Sequence, residues 1–285
     1  MNAFRMLAVS FAVIAGASLL HCKKQIVSSN RAETPPVIDG LSDEWQSGVM
    51  LNEKWQVAYA LSNDDRYLYL MLSSDHPGSQ SRLLMSGLVV WLDTQGDGKK
   101  DIGFKYPIGI FERGLNPGEV MRSLMGRNGW DEAGFRSYVK NWCSDIQLID
   151  DKNKNLGMLN HRDAQACDIH FQLALHENKL VYELAVPLDG TPKHPWNLRG
   201  TNFRLGFEAP KFEFSGMRRP MGGFAPGGAE SGGGSPVGGG RGGRGGGGGG
   251  GAMPMPDGGG MPQAPARGMF NSDPINLWMT VSLAK

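Results

Sequence analysis

Residues 168–187 read DIHFQLALHENKLVYELAVP. Apolar side chains recur at alternate positions through Asp168–His176 and again through Leu180–Pro187, with the polar triplet Glu177-Asn178-Lys179 between them. A period of two marks a strand, and a short polar break between two such runs marks an antiparallel hairpin. The same pattern extends outward in both directions. Val57–Leu61 and Tyr67–Leu72 flank the polar cluster Ser62–Arg66, and Gly87–Asp93 and Ile102–Ile108 flank the Gln95-Gly96-Asp97-Gly98 turn. Phe203–Ala209 and Ile275–Leu283 complete the series. Each hairpin is expected to be apolar on one face and solvated on the other. Helical periodicity is weak, with Pro117–Met125 the best short candidate. Many short strands without alternating helices predict an all-β chain, an antiparallel β-sandwich, and argue against an α/β fold.

The composition adds one anomaly to this body. Of the 42 Gly in 285 residues, 24 lie in residues 216–268 together with seven Pro. The other 232 residues hold an ordinary share. The tract lacks a G-x-y period, which excludes collagen, and the body is too rich in Val, Leu, Trp and Tyr for a wholly disordered chain. The expected organisation is a signal peptide at 1–21, a tether at 22–34, and a single sandwich domain at 35–285. Within that domain, 216–268 is expected to be an inserted disordered loop before the last strand.

The first residues read as an address. Arg5 precedes an apolar run of 15 residues, Met6–Leu20, which is short for a hydrocarbon core of about 30 Å. Leu19-Leu20-His21-Cys22 resembles a bacterial lipobox, which implies lipidation of Cys22; His21 departs from the small residue usual at its place. Lys23 after the cysteine implies, by the lipoprotein sorting rule, the outer membrane. An ordinary cleaved secretory signal is the other reading. Without residues 1–21 the chain holds 28 basic and 28 acidic side chains, so nothing in its charge favours nucleic acid. Arg241 and Arg244 form a short RGG-like segment that does not alter this reading. Cys143 and Cys167 remain as a pair; export makes a disulfide the default, with two buried thiols as the alternative.

Several stretches, taken in order, resemble family 9 carbohydrate-binding modules and the DOMON-like sandwiches related to them. Val37-Ile38-Asp39-Gly40-Leu41-Ser42-Asp43-Glu44-Trp45 is similar to the opening motif of that family. Asp65-Arg66-Tyr67-Leu68-Tyr69-Leu70 and Val89-Val90-Trp91-Leu92-Asp93, the latter followed by Asp97-Gly98, resemble its hairpins. Tyr182-Glu183-Leu184-Ala185-Val186-Pro187-Leu188 and Phe203-Arg204-Leu205-Gly206-Phe207 resemble later strands. The resemblance covers about residues 35–212 and the final strand. It implies the sandwich but does not fix a ligand.

The candidate chemistry sits mostly in loops. Asp93, Gln95, Asp97 and Asp101 place oxygen donors around a glycine turn, so the loop reads either as a structural calcium site, which the resemblance implies, or as a solvated hairpin turn. Phe104 stands where a bidentate Glu is expected, and Lys99 and Lys100 oppose a cation. Flat apolar sugar faces dock on aromatic rings. The family clamps a terminal sugar between two loop Trp, and Trp130 and Trp196 are the candidates here. Trp91 and Trp278 are expected in the core, and Trp45 at the sandwich edge. Met71, His170 and His176 are the strand residues that a haem-binding DOMON reading would use, and Met253, Met255 and Met261 could bind cuprous copper as thioethers. There is no G-x-S-x-G, H-E-x-x-H or Walker A motif. The sequence therefore reads first as a non-catalytic, lipid-anchored sandwich binding a carbohydrate or related ligand. A structural or adhesive surface lipoprotein is the alternative, and a haem protein comes third.

Overall fold

A computed structural model describes residues 26–127, 129–191, 196–200, 202–211 and 274–285. The signal segment 1–21, Cys22, and the tract 216–268 with Arg241, Arg244, Met253, Met255 and Met261 lie outside the described residues. In chain order the strands are β1 (Ile26–Ser28), β2 (Asn30–Arg31), β3 (Met50–Asn52), β4 (Val57–Asn63) and β5 (Tyr67–Ser74). Then come β6 (Gly87–Asp93), β7 (Ile102–Ile108), β8 (Met125–Gly126), β9 (Gly129–Trp130), β10 (Asp145–Ile149) and β11 (Asn155–Asn160). The last four are β12 (His170–His176), β13 (Lys179–Pro187), β14 (Phe203–Ala209) and β15 (Ile275–Ser282). Four helices interrupt them: α1 (Pro77–Ser86), α2 (Pro117–Leu124), α3 (Glu132–Trp142) and α4 (His161–Gln165).

The strands form two main sheets, ordered β1-β15-β14-β6-β7-β10-β11 and β12-β13-β5-β4-β2, with β3 added beside β4. All pairings are antiparallel except β1 with β15 and β2 with β4. The fold is thus the expected antiparallel β-sandwich. Its interior is one cluster to which alternate residues of both sheets contribute. Leu88, Val90 and Leu92 of β6 belong to the same cluster as Leu68, Leu70 and Leu72 of β5 and Leu180, Tyr182 and Leu184 of β13. At about 25 cal/mol per Å² of apolar surface, this continuous layer is the dominant stabilising term.

Three features depart from the sequence reading. The segment expected as a tether carries β1 and β2, which pair with β15 and β4 and so belong to the sandwich. Helices α1, α3 and α4 appear beside the expected α2. In α1, Gly78–Met85 are all buried, so no amphipathic stripe shows in its sequence. In α3 the signal is local: Asp131 caps the helix by accepting from the Ala133 N–H, and Phe135 and Tyr138 bury one face. The central strands are also covered on both sides, since every residue of β6 is buried and β5 has seven of eight buried, whereas β12 keeps the expected alternation of buried and half-buried residues.

The outer cover of the second sheet is the strap that includes the Asp39-Gly40 motif. Glu183 points outward from β13 and is fully buried beneath it. One carboxylate oxygen accepts from the backbone N–H of Asp39 at 2.9 Å and of Gly40 at 2.6 Å, and the other from the Trp45 indole at 2.6 Å. Gly40 has φ +85°, and a Cβ there would stand 2.4 Å from the Ala174 Cβ, so no other residue fits. Trp45 then packs on Ala60, Tyr69, Met71, Val181 and Ala185 as a second, outer cluster.

Burial pushes the Glu183 carboxyl up to about 7 from an ordinary 4.5, against the opposing pull of the Gly40 N–H and the Trp45 indole. A carboxyl whose folded value is raised holds its proton more tightly in the folded state. Its contribution to stability is complete below pH 4.5 and is lost as pH rises through 7. Urea unfolding is expected to show stability falling from about pH 5 to about pH 8, by up to about 3 kcal/mol from this group. Glu183→Gln should cost about 2 kcal/mol at low pH, because its amide NH₂ must face either the Trp45 indole N–H or the Asp39 and Gly40 N–H groups, and should flatten the slope. An unchanged slope in the variant would assign the pH dependence elsewhere.

Candidate functional site

The outward residues of the first sheet form an unusual row. Trp278 of β15 pairs with Gly206 of β14, Gly206 with Trp91 of β6, Trp91 with Gly103 of β7, and Gly103 with Ile149 of β10. Glycine beside each indole is a steric requirement. A Cβ at Gly206 would stand 2.5 Å from Trp278 Cε2, and one at Gly103 would stand 2.8 Å from Trp91 Cζ3. The indoles therefore lie over bare backbone instead of standing up from the sheet.

Glu208, two residues beyond Gly206 on the same face of β14, fixes their orientation. The Trp91 indole N–H donates to Glu208 Oε2 at 2.9 Å, and the Trp278 indole N–H to Oε1 at 3.0 Å. Lys100 Nζ donates to the same carboxylate at 2.6 Å and lies 4.9 Å from the Trp91 ring centroid. The Arg204 guanidinium lies 5.1 Å from the Trp278 centroid. Charge-assisted bonds and cation–π contacts thus hold both rings in place. Trp91, Val89 and Ile149 form a small apolar cluster with Trp278 half buried against it.

A cleft of about 470 Å³ opens on this face. Its lining includes Trp91, Lys100, Lys105, Glu112, Glu208 and Asn276. Lys105 Nζ donates to both oxygens of Glu112, at 2.9 and 3.0 Å. The surface combines indole, amide, ammonium and carboxylate groups. It can offer an apolar plane together with hydrogen-bond donors and acceptors of both signs, a combination suited to a polyhydroxylated ring. Trp91 lines this cleft at 2% exposure, and Trp278 lies half buried beside it between Gly206 and the Arg204 guanidinium.

The structure moves several expected site residues. Trp91 and Trp278, expected in the core, face outward. β15 shows why: Ile275, Leu277, Met279 and Val281 pack inward and put Trp278 on the opposite parity. The two expected sugar-clamping residues are not brought together as a clamp. Trp196 is 3% exposed, donates its indole N–H to the Pro187 carbonyl at 2.9 Å, and meets Phe104 edge to face in the core. Trp130 is half buried, donates to Gln80 Oε1 at 2.6 Å, and packs on Phe135. Trp45, expected at the sandwich edge, is buried under the strap at 4% exposure.

The Asp93–Asp101 loop uses its carboxylates on its own backbone. Asp93 is fully buried and accepts from the Asp97 and Gly98 N–H groups, with Arg204 at 3.6 Å. Asp97 accepts from Lys99 N and Nζ, and Asp101 from Thr94 N and Oγ1. Gln95 makes no hydrogen bond with these carboxylates. Among the described residues, no group of three or more His, Cys, Asp or Glu is placed to hold a metal ion. The loop is a hairpin turn held by these hydrogen bonds. Met71, His170 and His176 do not share a cavity either: Met71 lies in the outer cluster under the strap, and His176 is exposed beside Glu177 at 3.9 Å.

Cys143 and Cys167 are free thiols and not the expected disulfide. Cys143 ends α3 at 0% exposure within the main core, whereas Cys167 lies half buried in the turn after α4. Burial pushes the Cys143 thiol up to about 12, against the pull of the Tyr138 hydroxyl and Arg113.

No protein-family model matches this chain, and no curated protein matches it. Two solved structures are similar to it in part. Both are family 9 carbohydrate binding modules from Caldicellulosiruptor kristjanssonii. The one in complex with glucose is 13% identical, covers 67% of this chain and 81% of its own, and has a TM-score of 0.34. The one in complex with cellotriose is 12% identical, covers 65% and 76%, and has a TM-score of 0.32.

A thiolate is the reactive form, so native Cys143 is expected to resist alkylation and Cys167 to react first. Alkylation of the unfolded, unreduced protein should label both residues, as read by peptide mass. Labelling of both only after reduction would establish the disulfide instead.

Proposed function

We propose that this protein is a non-catalytic binding module that takes a carbohydrate on the outer face of its first sheet. The observation that carries the reading is the pair of indoles laid over Gly206 and Gly103 and held by one carboxylate, Glu208, which together with Trp91 lines a cleft with a mixed-charge rim. In this reading the sugar lies in the cleft beside the indole pair, and Lys105, Glu112 and Asn276 meet the ring hydroxyls. Fixing the indoles before binding lowers the ordering cost of association.

The module is held at the cell envelope by a lipid on Cys22, most simply at the outer membrane. The support is the apolar run, the Leu19–Cys22 pattern and Lys23. Ile26, the first residue of β1, is four residues after Cys22, a span of at most about 14 Å. Such an anchor keeps the sandwich close to the membrane surface and favours a polymer that lies there over a distant one.

A second reading, an adhesive module that contacts proteins, rests on β11. This edge strand carries no charge, and its Leu156 and Met158 are 53% and 49% exposed. Exposed edges of this kind pair with other strands.

A glycan array probed with the mature chain should retain at least one neutral saccharide. Trp278→Ala should weaken that binding about tenfold or more in calorimetry while leaving the circular dichroism of the fold in place. Retention of no sugar by the wild type would remove the carbohydrate reading. Palmitate incorporation should be lost in Cys22→Ser, and undiminished labelling would remove the anchor.

A further inference from the structure

The second sheet has a cleft of its own, on the opposite side of the sandwich from the indole row. It measures about 420 Å³ and lies between the strap at Pro36, Val37 and Ile38 and the corner where α4 turns into β12. Tyr67 and Tyr69 form one wall, and their rings are fixed at the hydroxyl ends. Tyr67 donates to Asp168 Oδ1 at 3.0 Å and Tyr69 to Asp64 Oδ2 at 2.7 Å. Their centroids lie 5.8 Å apart, and His170 meets Tyr67 edge to face at 5.9 Å. On the α4 side the His161 ring lies flat on Phe171, 4.2 Å away with the planes 14° apart.

The polar groups of this cleft are uncommitted. Among the described residues, the side chains of His161, His170, Gln165 and Gln172 make no hydrogen bond, although all four line the space. Burial lowers the His161 pKa, which keeps that imidazole neutral near pH 7 and leaves it one donor and one acceptor. The two amides likewise offer both. The charged groups at the rim are engaged: Arg66 lies 3.8 Å from Asp168, and Asp64 accepts from the Tyr69 hydroxyl and from the Arg66 and Tyr67 N–H groups. A carboxylate or ammonium ligand would find no uncompensated partner here. A hydroxyl group, which both donates and accepts, finds several.

We infer that this cleft is a second binding site, for a small uncharged ring compound carrying hydroxyl groups. Its fixed aromatic and aliphatic walls, Tyr67 and Val37 above all, receive the ring, and His161, His170, Gln165 and Gln172 receive the hydroxyls. The volume is that of small-molecule sites, and the lining divides evenly between apolar walls and convergent polar groups, as a hydroxylated ring requires. A sugar ring and a phenol share this chemistry. The site is independent of the indole row, because the two lie on opposite sheets and share no residue.

The test is NMR of the full mature chain, following the imidazole signals of His161 and His170 and the indole N–H of Trp278. Methyl β-glucoside is titrated in one arm and phenol in the other. The expected result is saturable movement of both imidazole signals in at least one arm, and the arm that responds names the source. Val37→Asp places a charge at the mouth of the cleft on a residue 58% exposed, so folding should not depend on it. That variant, and separately His170→Ala read through His161, should weaken the response about tenfold. Imidazole signals that stay still with both probes overturn the site. So does movement that persists undiminished in both variants. Movement of Trp278 alone supports the first cleft and overturns the second.

Discussion

The Glu183 carboxylate leaves the outer side of β13, where a strand residue ordinarily meets water, and accepts from three N–H groups of a single segment. A buried carboxylate without such donors would cost several kcal/mol. With them it seats the strap on the second sheet. Gly40 makes the approach sterically possible, and Trp45 supplies both a donor and an apolar cover over Met71 and Tyr69. Much of the architecture depends on this arrangement. The strap forms one wall of the second cleft, covers β5 and β13, and leads from β2 toward β3. The energetic balance is narrow, because burial opposes the charge that the donors favour, which is why the carboxyl is lifted close to neutral pH.

The first sheet solves a similar problem with different means. Trp91 and Trp278 occupy outward positions where two large apolar rings would stand exposed. Laying them over Gly206 and Gly103 buries their area, and one carboxylate satisfies both indole N–H groups. Glycine in mid-strand costs stability through chain entropy and lost packing. Two of them flanking one tryptophan, on strands otherwise built of Val, Leu and Phe, is a cost that the flat aromatic surface offsets. Packing alone would favour a β-branched residue at both positions.

The strands that carry the core were legible because their period and turn residues are local properties. Gly87–Asp93, Ile102–Ile108 and Phe203–Ala209 fall within the observed bounds residue for residue. The strap motif and the Glu183 strand could each be read, but the bond between them spans more than 130 residues and no local pattern records it. The facing of Trp91 was hidden for another reason: GLVVWLD is apolar on both parities, so its sequence cannot say which side is the core. The facing of Trp278 could have been read from the alternation of Ile275, Leu277, Met279 and Val281. Trp130 and Trp196 misled because a tryptophan in a polar stretch looks available, whereas each had a specific acceptor, Gln80 and the Pro187 carbonyl, waiting in the interior. Helix α1 left no stripe because it is buried all round.

The glycine anomaly and the first cleft meet at one place in the topology. Ala209 and Ile275 are directly opposite in the β14–β15 register, so the chain leaves the sheet and returns to it at the same point. Loop closure cost grows only with the logarithm of length, and once the two strand ends are fixed side by side by seven paired residues, the length of the excursion adds little to it. The sandwich therefore tolerates the insertion because of where it occurs rather than what it contains. That point borders the indole cleft, whose lining includes Pro210 and Pro274, the residues on either side of the excursion.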